Sequence, residues 1–188
     1  MTAIRQGELH TPRLRLRPFE ATDIEGIRAL ANDVEVARNT LNLPHPYEVD
    51  HARDWIASQP GQLEREEAVT YAVTLREGGA LIGAVGLILE IENDRAELGY
   101  WIGRDQWGRG YATEAARAVV AWGFGTLGLH RIHASHFPRN PASGRVLRKL
   151  GMRHEGRLRE HVRKWGEYVD LERFGILSRE FDLMGGGD

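Results

Sequence analysis

Two glycines ahead of an apolar helical pattern are the residues of this chain best suited to chemistry. Gly108 and Gly110 allow a tight turn and a close approach of the backbone to a ligand. Apolar residues then recur at helical spacing from Ala112, so a helix N-terminus with unpaired N–H groups follows the turn. Such an N-terminus favours an anion, and a pyrophosphate fits it. The segment is therefore either a phosphate site or a simple tight turn. It lacks the Gly-Lys-Ser/Thr of a P-loop and the third glycine of the dinucleotide fingerprint.

Positive charge is concentrated further along the chain. Residues 139–164 include nine Arg or Lys side chains and two acids, whereas the whole chain has a net charge of -2. This basic stretch is either a solvated surface or an anion site. Its side chains Arg145, Arg148 and Lys149 are candidates for contact with ligand phosphates, an acidic protein or RNA. Aromatic residues are not interleaved with them, and this disfavours nucleic acid.

Three closely spaced histidines are of the residue type that binds metal ions. His130, His133 and His136 fall on a predicted strand, where successive side chains point to opposite faces, so His133 points away from the other two. We therefore expect no metal site. The chain contains no cysteine, which removes disulfides, thiolate ligands and a cysteine nucleophile.

The elements that must position these residues follow from the hydrophobic periodicity. Strands are predicted at 14–18, 69–75, 81–91, 96–102, 131–137 and on both sides of a turn at Trp165 and Gly166; helices are predicted at 21–37, 50–58, 112–124 and 141–150. The last strand does not keep a clean alternation, so we expect a bulge near Arg173 or Gly175. The order β-α-α-β-β-β-α-β-α-β-β predicts an α/β domain with a mixed sheet.

Composition sets the class of protein. The 188 residues are 41% hydrophobic and 28% charged, as in a single globular domain. No apolar run approaches the ~18 residues of a membrane helix, and none follows Met1 as in a signal peptide. We expect a cytoplasmic protein without membrane contact, with one domain at 9–180 and a frayed C-terminal tail at 181–188.

Several segments, in order along the chain, resemble one family. Trp107–Ala112 (WGRGYA) resembles the acetyl-CoA signature Gln/Arg-x-x-Gly-x-Gly/Ala of the GCN5-related N-acetyltransferase (GNAT) superfamily, with Trp107 at the first position. Further segments resemble its RimJ/RimL-type branch, the ribosomal-protein N-terminal acetyltransferases and their relatives. These are Thr11–Pro18 (TPRLRLRP), Glu97–Trp101 (ELGYW), Asn140–Val146 (NPASGRV) and Gly151–Gly156 (GMRHEG). The resemblance covers roughly residues 9 to 180.

This resemblance implies the GNAT acyl-CoA N-acyltransferase fold, a mixed and mostly antiparallel sheet flanked by helices. It implies acetyl-CoA as cosubstrate, no metal, and direct transfer of acetyl to a primary amine in a ternary complex. The acceptor is a protein N-terminus, a polyamine, an antibiotic amine or an amino acid; the alternative is a non-catalytic acyl-CoA-binding module. Relatives are often dimers, so a homodimer is one option.

The resemblance also assigns residues to the coenzyme. The pyrophosphate is expected on the backbone of residues 108–113, and the pantetheine arm along residues 100–102. The full predicted set is Tyr100, Trp101, Ile102, Trp107, Gly108, Arg109, Gly110, Tyr111, Ala112, Thr113, Asn140, Ser143 and Arg145. For Asn140, capping a helix and binding the pantetheine are both open.

The reaction needs a base and a donor to the leaving thiolate. An amine attacks a thioester only when neutral, so a base assists at pH 7. Glu97 is the first candidate base; otherwise it is a surface carboxylate that pairs with Arg95 or Arg104. Ser143 is the candidate for contacting or protonating the coenzyme sulfur; otherwise it is a helix-start serine bonded to its own backbone.

Two family positions lack their usual residues. Superfamily members often use a tyrosine as the general acid, seven residues after the asparagine that corresponds to Asn140. This chain has Leu147 at that position. The RimL-type base position aligns with Val162, which leaves Glu160 as a second choice of base.

Overall fold

A computed structural model describes residues 4–183 of the chain, and the expected tail residues 184–188 lie outside the described residues. Its strands are β1 Leu9–His10, β2 Leu14–Arg17, β3 Ala68–Leu75, β4 Leu81–Glu90, β5 Arg95–Ile102, β6 Arg131–His136, β7 Arg153–Lys164 and β8 Glu167–Leu177. Its helices are α1 Ile24–Ala31, α2 Val34–Arg38, α3 Val49–Glu64, α4 Tyr111–Gly125, α5 Pro141–Lys149 and α6 Ser178–Asp182. The predicted order of the larger elements is confirmed, with β1 and α6 as additions.

The strands form one sheet in the order β1-β2-β3-β4-β5-β6-β8-β7. Every neighbouring pair is antiparallel except β5 and β6, which are parallel. The expectation of a mixed and mostly antiparallel sheet is therefore confirmed. The parallel pair is also short, since it joins only Arg95–Glu97 to Arg131–His133.

Helices cover both faces of the sheet. The larger core lies between the sheet and α4, and it takes Ala96 and Leu98 from β5. A second cluster forms around α1 and α3, and it includes Trp101 of β5. Because alternate residues of a strand point to opposite faces, β5 carries one row of side chains toward α4 and the other toward α1 and α3.

The first predicted helix and the predicted bulge differ from the structure, each for a local reason, and the helix predicted at 50–58 runs on to Glu64. The predicted helix 21–37 is divided because the Asp33 carboxylate caps a new helix, accepting from the backbone N–H of Glu35 at 2.7 Å. The expected bulge lies on β7 rather than on β8: the register slips between His154 and Gly156, opposite Arg173. Past residue 180, Phe181 of α6 is buried against the ring of Phe124.

Candidate active site

A cleft opens where the parallel strands separate. Beyond Glu97 and His133, β5 and β6 have no further paired residues in the described chain, and a cavity of about 580 Å³ lies there. Its lining comes from the end of β5, the following turn, the starts of α4 and α5, and the loop after α2. This volume is within the range of small-molecule sites.

The glycine turn forms the wall of the cavity at the start of α4. Gly108 and Gly110 have φ values of 76° and 83°, in the left-handed region that favours glycine. Gly110 is the N-cap of α4 and has no side chain to cap the helix, so the first N–H groups of α4 are open toward the cavity. The backbone is therefore shaped for an anion such as a pyrophosphate.

A clamp from the other end of the sheet holds this turn. Arg13 donates through Nη1 to the Arg109 carbonyl at 2.9 Å and through Nε to the Glu114 carboxylate at 2.7 Å. Glu114 also accepts from Thr11 Oγ1 at 2.6 Å and from the Arg13 backbone N–H at 2.9 Å. Burial opposes ionisation of Glu114, but these hydrogen bonds hold its pKa below the usual value. Sequence reasoning noticed the Thr11–Pro18 motif but missed this role.

Trp107, at the first position of the signature, has a structural role in the turn. Its indole Nε1 donates to the Ile102 carbonyl at 2.6 Å, so the side chain ties the turn to the last residue of β5. The ring remains 45% exposed.

Ser143 and Tyr100 meet across the cavity. The two hydroxyl oxygens are 2.7 Å apart, which joins β5 to the first turn of α5. Asn140 is the N-cap of that helix, and its Oδ1 accepts from the Ser143 backbone N–H at 3.2 Å. The capping role of Asn140 is thus present, and its side chain also lines the cavity.

Glu97 lies on the opposite face of β5 from Tyr100. Its carboxylate oxygens are 3.8 Å from Arg173 Nη1 and 3.9 Å from His133 Nε2, and 39% of the side chain is exposed. The partners expected from sequence are engaged elsewhere: Arg95 pairs with Glu90 and Arg104 with Asp33. Glu97 therefore faces the cavity with one cation beside it.

His133 is an uncharged neighbour of this carboxylate. Burial, reinforced by the charges of Arg173 and Arg131, lowers the pKa of His133 from 6.5 to about 4. At neutral pH the positive charge next to Glu97 thus comes from Arg173. Arg173 also donates to Ser135 Oγ at 3.2 Å, so its position is fixed on both sides.

The structure gathers most of the predicted site residues around one cavity. The lining includes Glu97, Tyr100, Trp101, Ile102, Trp107, Gly108, Gly110, Tyr111, Ala112, Thr113, Asn140, Ser143 and Arg145. Arg109 is outside this lining and contributes its carbonyl to Arg13. Glu160 is also outside it, exposed in an irregular part of β7. Leu147 is buried in the core.

The basic stretch is divided between several tasks. Arg145 and Lys149 line the cavity on the α5 side, where they suit ligand phosphates. Arg148 lies over the ring of Phe174, and Arg157 pairs with Glu172. The stretch is therefore neither one solvated face nor one anion site.

The loop between α2 and α3 (39–48, the α2–α3 loop) forms the remaining wall. Its residues Asn39–Asn42 line the cavity. Lys164, at the tip of the β7–β8 hairpin, is buried and donates to the Leu41 and Leu43 carbonyls at 3.0 and 2.6 Å. Burial, with a contribution from Arg139, lowers the pKa of Lys164. Sequence reasoning placed this lysine only in a charged stretch.

The histidine series does not converge. His133 faces Glu97, whereas the Nδ1 of His136 lies 2.8 Å from its neighbour's carbonyl, Phe137 O, beside α5. Within residues 4–183, no group of three or more His, Cys, Asp or Glu side chains is arranged to hold a metal ion. Among the same residues, no helix has the length and apolar character that crossing a membrane demands.

Comparison with known proteins gives consistent matches along the chain. Residues 13–153 match the model of the acetyltransferase (GNAT) domain. The uncharacterized N-acetyltransferase p20 of Bacillus licheniformis is 34% identical over 174 residues, which are 92% of this chain and 97% of that protein. A GNAT-family acetyltransferase structure from Bacillus anthracis has a TM-score of 0.82 at 26% identity and covers 93% of this chain and 100% of its own. The spermidine N-acetyltransferase of Vibrio cholerae, solved with CoA and spermine, has a TM-score of 0.78 at 25% identity and covers 91% and 99%.

Proposed function

The chain belongs to the GNAT acetyltransferase family and is an acetyl-CoA-dependent N-acetyltransferase, and from this premise we propose that its acceptor is the α-amino group of a protein or peptide. The motifs that resemble the RimJ/RimL-type branch support this acceptor. The observation that carries the proposal is the charge of the cavity: Glu97 is the single carboxylate among the lining residues of the described chain.

A polyamine would need a different lining. It brings several ammonium groups, and a site that removes them from water must match them with carboxylates or other acceptors. Arg173 and the uncharged His133 lie 3.8 and 3.9 Å from the Glu97 carboxylate, and the rest of the lining includes neutral side chains such as Asn39, Asn42, Ile88 and Trp101. One carboxylate suits an acceptor with one amine at the reacting position.

The coenzyme fits the opposite part of the cavity. The open N–H groups after Gly110, with Arg145 and Lys149 nearby, suit a pyrophosphate and a further phosphate. When bound, acetyl-CoA supplies the thioester whose acetyl group is transferred. The cleft between β5 and β6 leads from this anion site to Glu97.

Glu97 and Ser143 flank the cleft from opposite faces of the sheet. In this proposal Glu97 takes the proton of the amine, directly or through water, and its exposure lets the proton pass to solvent. An α-amino group, with a pKa of about 8, is deprotonated more readily than a lysine, with a pKa of about 10.4. Ser143 donates a hydrogen bond to the sulfur as the carbon–sulfur bond breaks.

A thiol-release assay with acetyl-CoA tests the acceptor. The panel contains lysine-free peptides with a free N-terminus, the same peptides with a blocked N-terminus, and spermidine. We expect turnover only of the free peptides. Turnover of spermidine with a higher kcat/KM than any peptide would refute the proposed acceptor in favour of a small-molecule amine.

The same assay tests the base. We expect Glu97→Gln to lower kcat/KM by about 10²- to 10⁴-fold, the usual contribution of a general base. Glu92→Gln, at an exposed carboxylate in the turn before β5, is the matched control and should leave kcat/KM unchanged. Equal kcat/KM values for the two variants would remove Glu97 from the mechanism.

A further inference from the structure

Tyr100 of β5 and Ser143 of α5 are joined by a side-chain hydrogen bond in addition to the packing of the two elements. The hydroxyl oxygens lie 2.7 Å apart although the residues are 43 positions apart in the chain. Both side chains line the cavity. This ordinary O–H···O distance, between two groups on either side of the cleft, restrains the serine side chain.

A second helical serine, Ser58, whose Oγ accepts from Gln62 Nε2 at 2.8 Å, uses its own hydroxyl proton within its helix. Ser58 of α3 donates from Oγ to the Trp55 carbonyl of its own helix at 2.7 Å. This is the common local bond of serine in a helix, and it consumes the hydroxyl proton. Ser143 Oγ lies against the Tyr100 hydroxyl instead, and with Tyr100 as the donor the serine proton is available for another acceptor.

Geometry alone allows either hydroxyl to donate in the Tyr100–Ser143 contact, and the direction matters for the serine proton. The Tyr100 hydroxyl lies 2.7 Å from Ser143 Oγ and 3.3 Å from the Ser143 carbonyl oxygen, and the shorter distance favours Oγ. Burial raises the pKa of Tyr100 to about 12, so the phenol keeps its proton at neutral pH.

We propose that Tyr100 is a positioning residue for acetyl transfer: its hydroxyl donates to Ser143 Oγ and so directs the serine proton into the cleft, toward the sulfur of the leaving thiolate. The nitrogen–carbon bond forms and the carbon–sulfur bond breaks, with its electron pair going to sulfur. The proton lost by the amine balances the one gained by the thiol. Tyr100 and Ser143 keep their own protons, since donation of a hydrogen bond requires no transfer.

The first test uses CoA alone and is therefore independent of the acceptor. The pKa of the bound CoA thiol is measured from its ultraviolet thiolate band, against the complex with desulfo-CoA. A donor to sulfur stabilises the thiolate, so Tyr100→Phe and Ser143→Ala should each raise that pKa, the former by about 0.5 to 1. Tyr168→Phe, at an exposed tyrosine of β8, is the matched control and should leave it unchanged.

The double variant separates positioning from simple packing. Because Tyr100 acts through Ser143, Tyr100→Phe should have no further effect in the Ser143→Ala background. In single-turnover acetylation, with any amine that the enzyme accepts, Tyr100→Phe should slow transfer about 3- to 10-fold with the KM for acetyl-CoA unchanged.

The outcomes distinguish this inference from the proposed role of Ser143, on which it rests. An unchanged thiol pKa in Ser143→Ala overturns the serine role and the inference together. A raised pKa in Ser143→Ala alone, or additive effects in the double variant, overturns only the role of Tyr100.

Discussion

Replacement of Arg13 by methionine should weaken coenzyme binding although Arg13 does not line the cavity. Arg13 precedes β2, yet its guanidinium bonds the Arg109 carbonyl inside the glycine turn and the Glu114 carboxylate in the first turn of α4. Arg13→Met keeps most of the aliphatic side chain and removes these donors. The turn should then lose the support that holds its N–H groups toward the cavity.

The magnitude is worked from two of the lost interactions; the third, the guanidinium over the Tyr111 ring at 4.7 Å, makes it a lower bound. A hydrogen bond to a carbonyl contributes about 0.5–1.5 kcal/mol. The ion pair with Glu114 adds at most about 1 kcal/mol, because the Arg13 side chain is 49% exposed and solvent screens the pair of charges. We expect binding of CoA to supply the lost stabilisation of the turn, about 1–2 kcal/mol, which raises the Kd for CoA about 5- to 30-fold.

Calorimetric titration with CoA measures this effect against a matched control. Arg15→Met removes an arginine of similar exposure, two residues along, that pairs with Glu8 instead of with the turn. We expect the Kd to rise in Arg13→Met alone, with kcat at saturating acetyl-CoA retained. Equal Kd values for the two variants would show that the clamp does not order the turn.

Three further outcomes are expected. Gly110→Ala, at a φ of 83°, should cost about 1–3 kcal/mol of backbone strain, and calorimetry should show weaker CoA binding by a folded protein. Lys164→Met should raise the KM of the acceptor and leave the KM of acetyl-CoA unchanged, because it frees only the α2–α3 loop; steady-state kinetics with both substrates varied will separate the two. His133 has a folded pKa of about 4 against 6.5 unfolded, so below pH 6.5 the unfolded chain binds a proton that the folded chain refuses. The wild type should therefore lose up to about 3 kcal/mol more of its free energy of unfolding than His133→Asn between pH 6.5 and 4, as measured by urea denaturation; parallel losses would contradict the shifted pKa.

The elements that sequence predicted well have strong periodic signals. The apolar alternation of β3, the nearly continuous apolar run of β4 and the helical spacing of α4 predicted their types and order, and the family resemblance then indicated the fold. The enzymatic interpretation is confirmed over the non-catalytic one by the family and its relatives. The missed features are short or local: α6 has five residues, and the break before α2 depends on one capping carboxylate.

The candidate site shows a sharper limit. Residues of the glycine turn could be predicted because one contiguous segment builds them. The clamp joins positions 101 apart, and the Tyr100–Ser143 bond joins positions 43 apart. A single sequence carries no signal for such pairs, because the distance between them is decided by the packing of the whole sheet. Their residue types were visible, but their association was not.

The two halves of the cavity are anchored by different parts of the chain. The glycine turn is fastened from the N-terminal end of the sheet by Arg13, whereas the α2–α3 loop is fastened from the C-terminal hairpin by Lys164. Substitutions at the hairpin tip can therefore reshape one half while the other keeps its geometry. Under the proposed function, the hairpin tip thus shapes the acceptor half and leaves the donor half unchanged, which makes this hairpin, about a dozen residues per strand, the place to begin when the acceptor is to be changed.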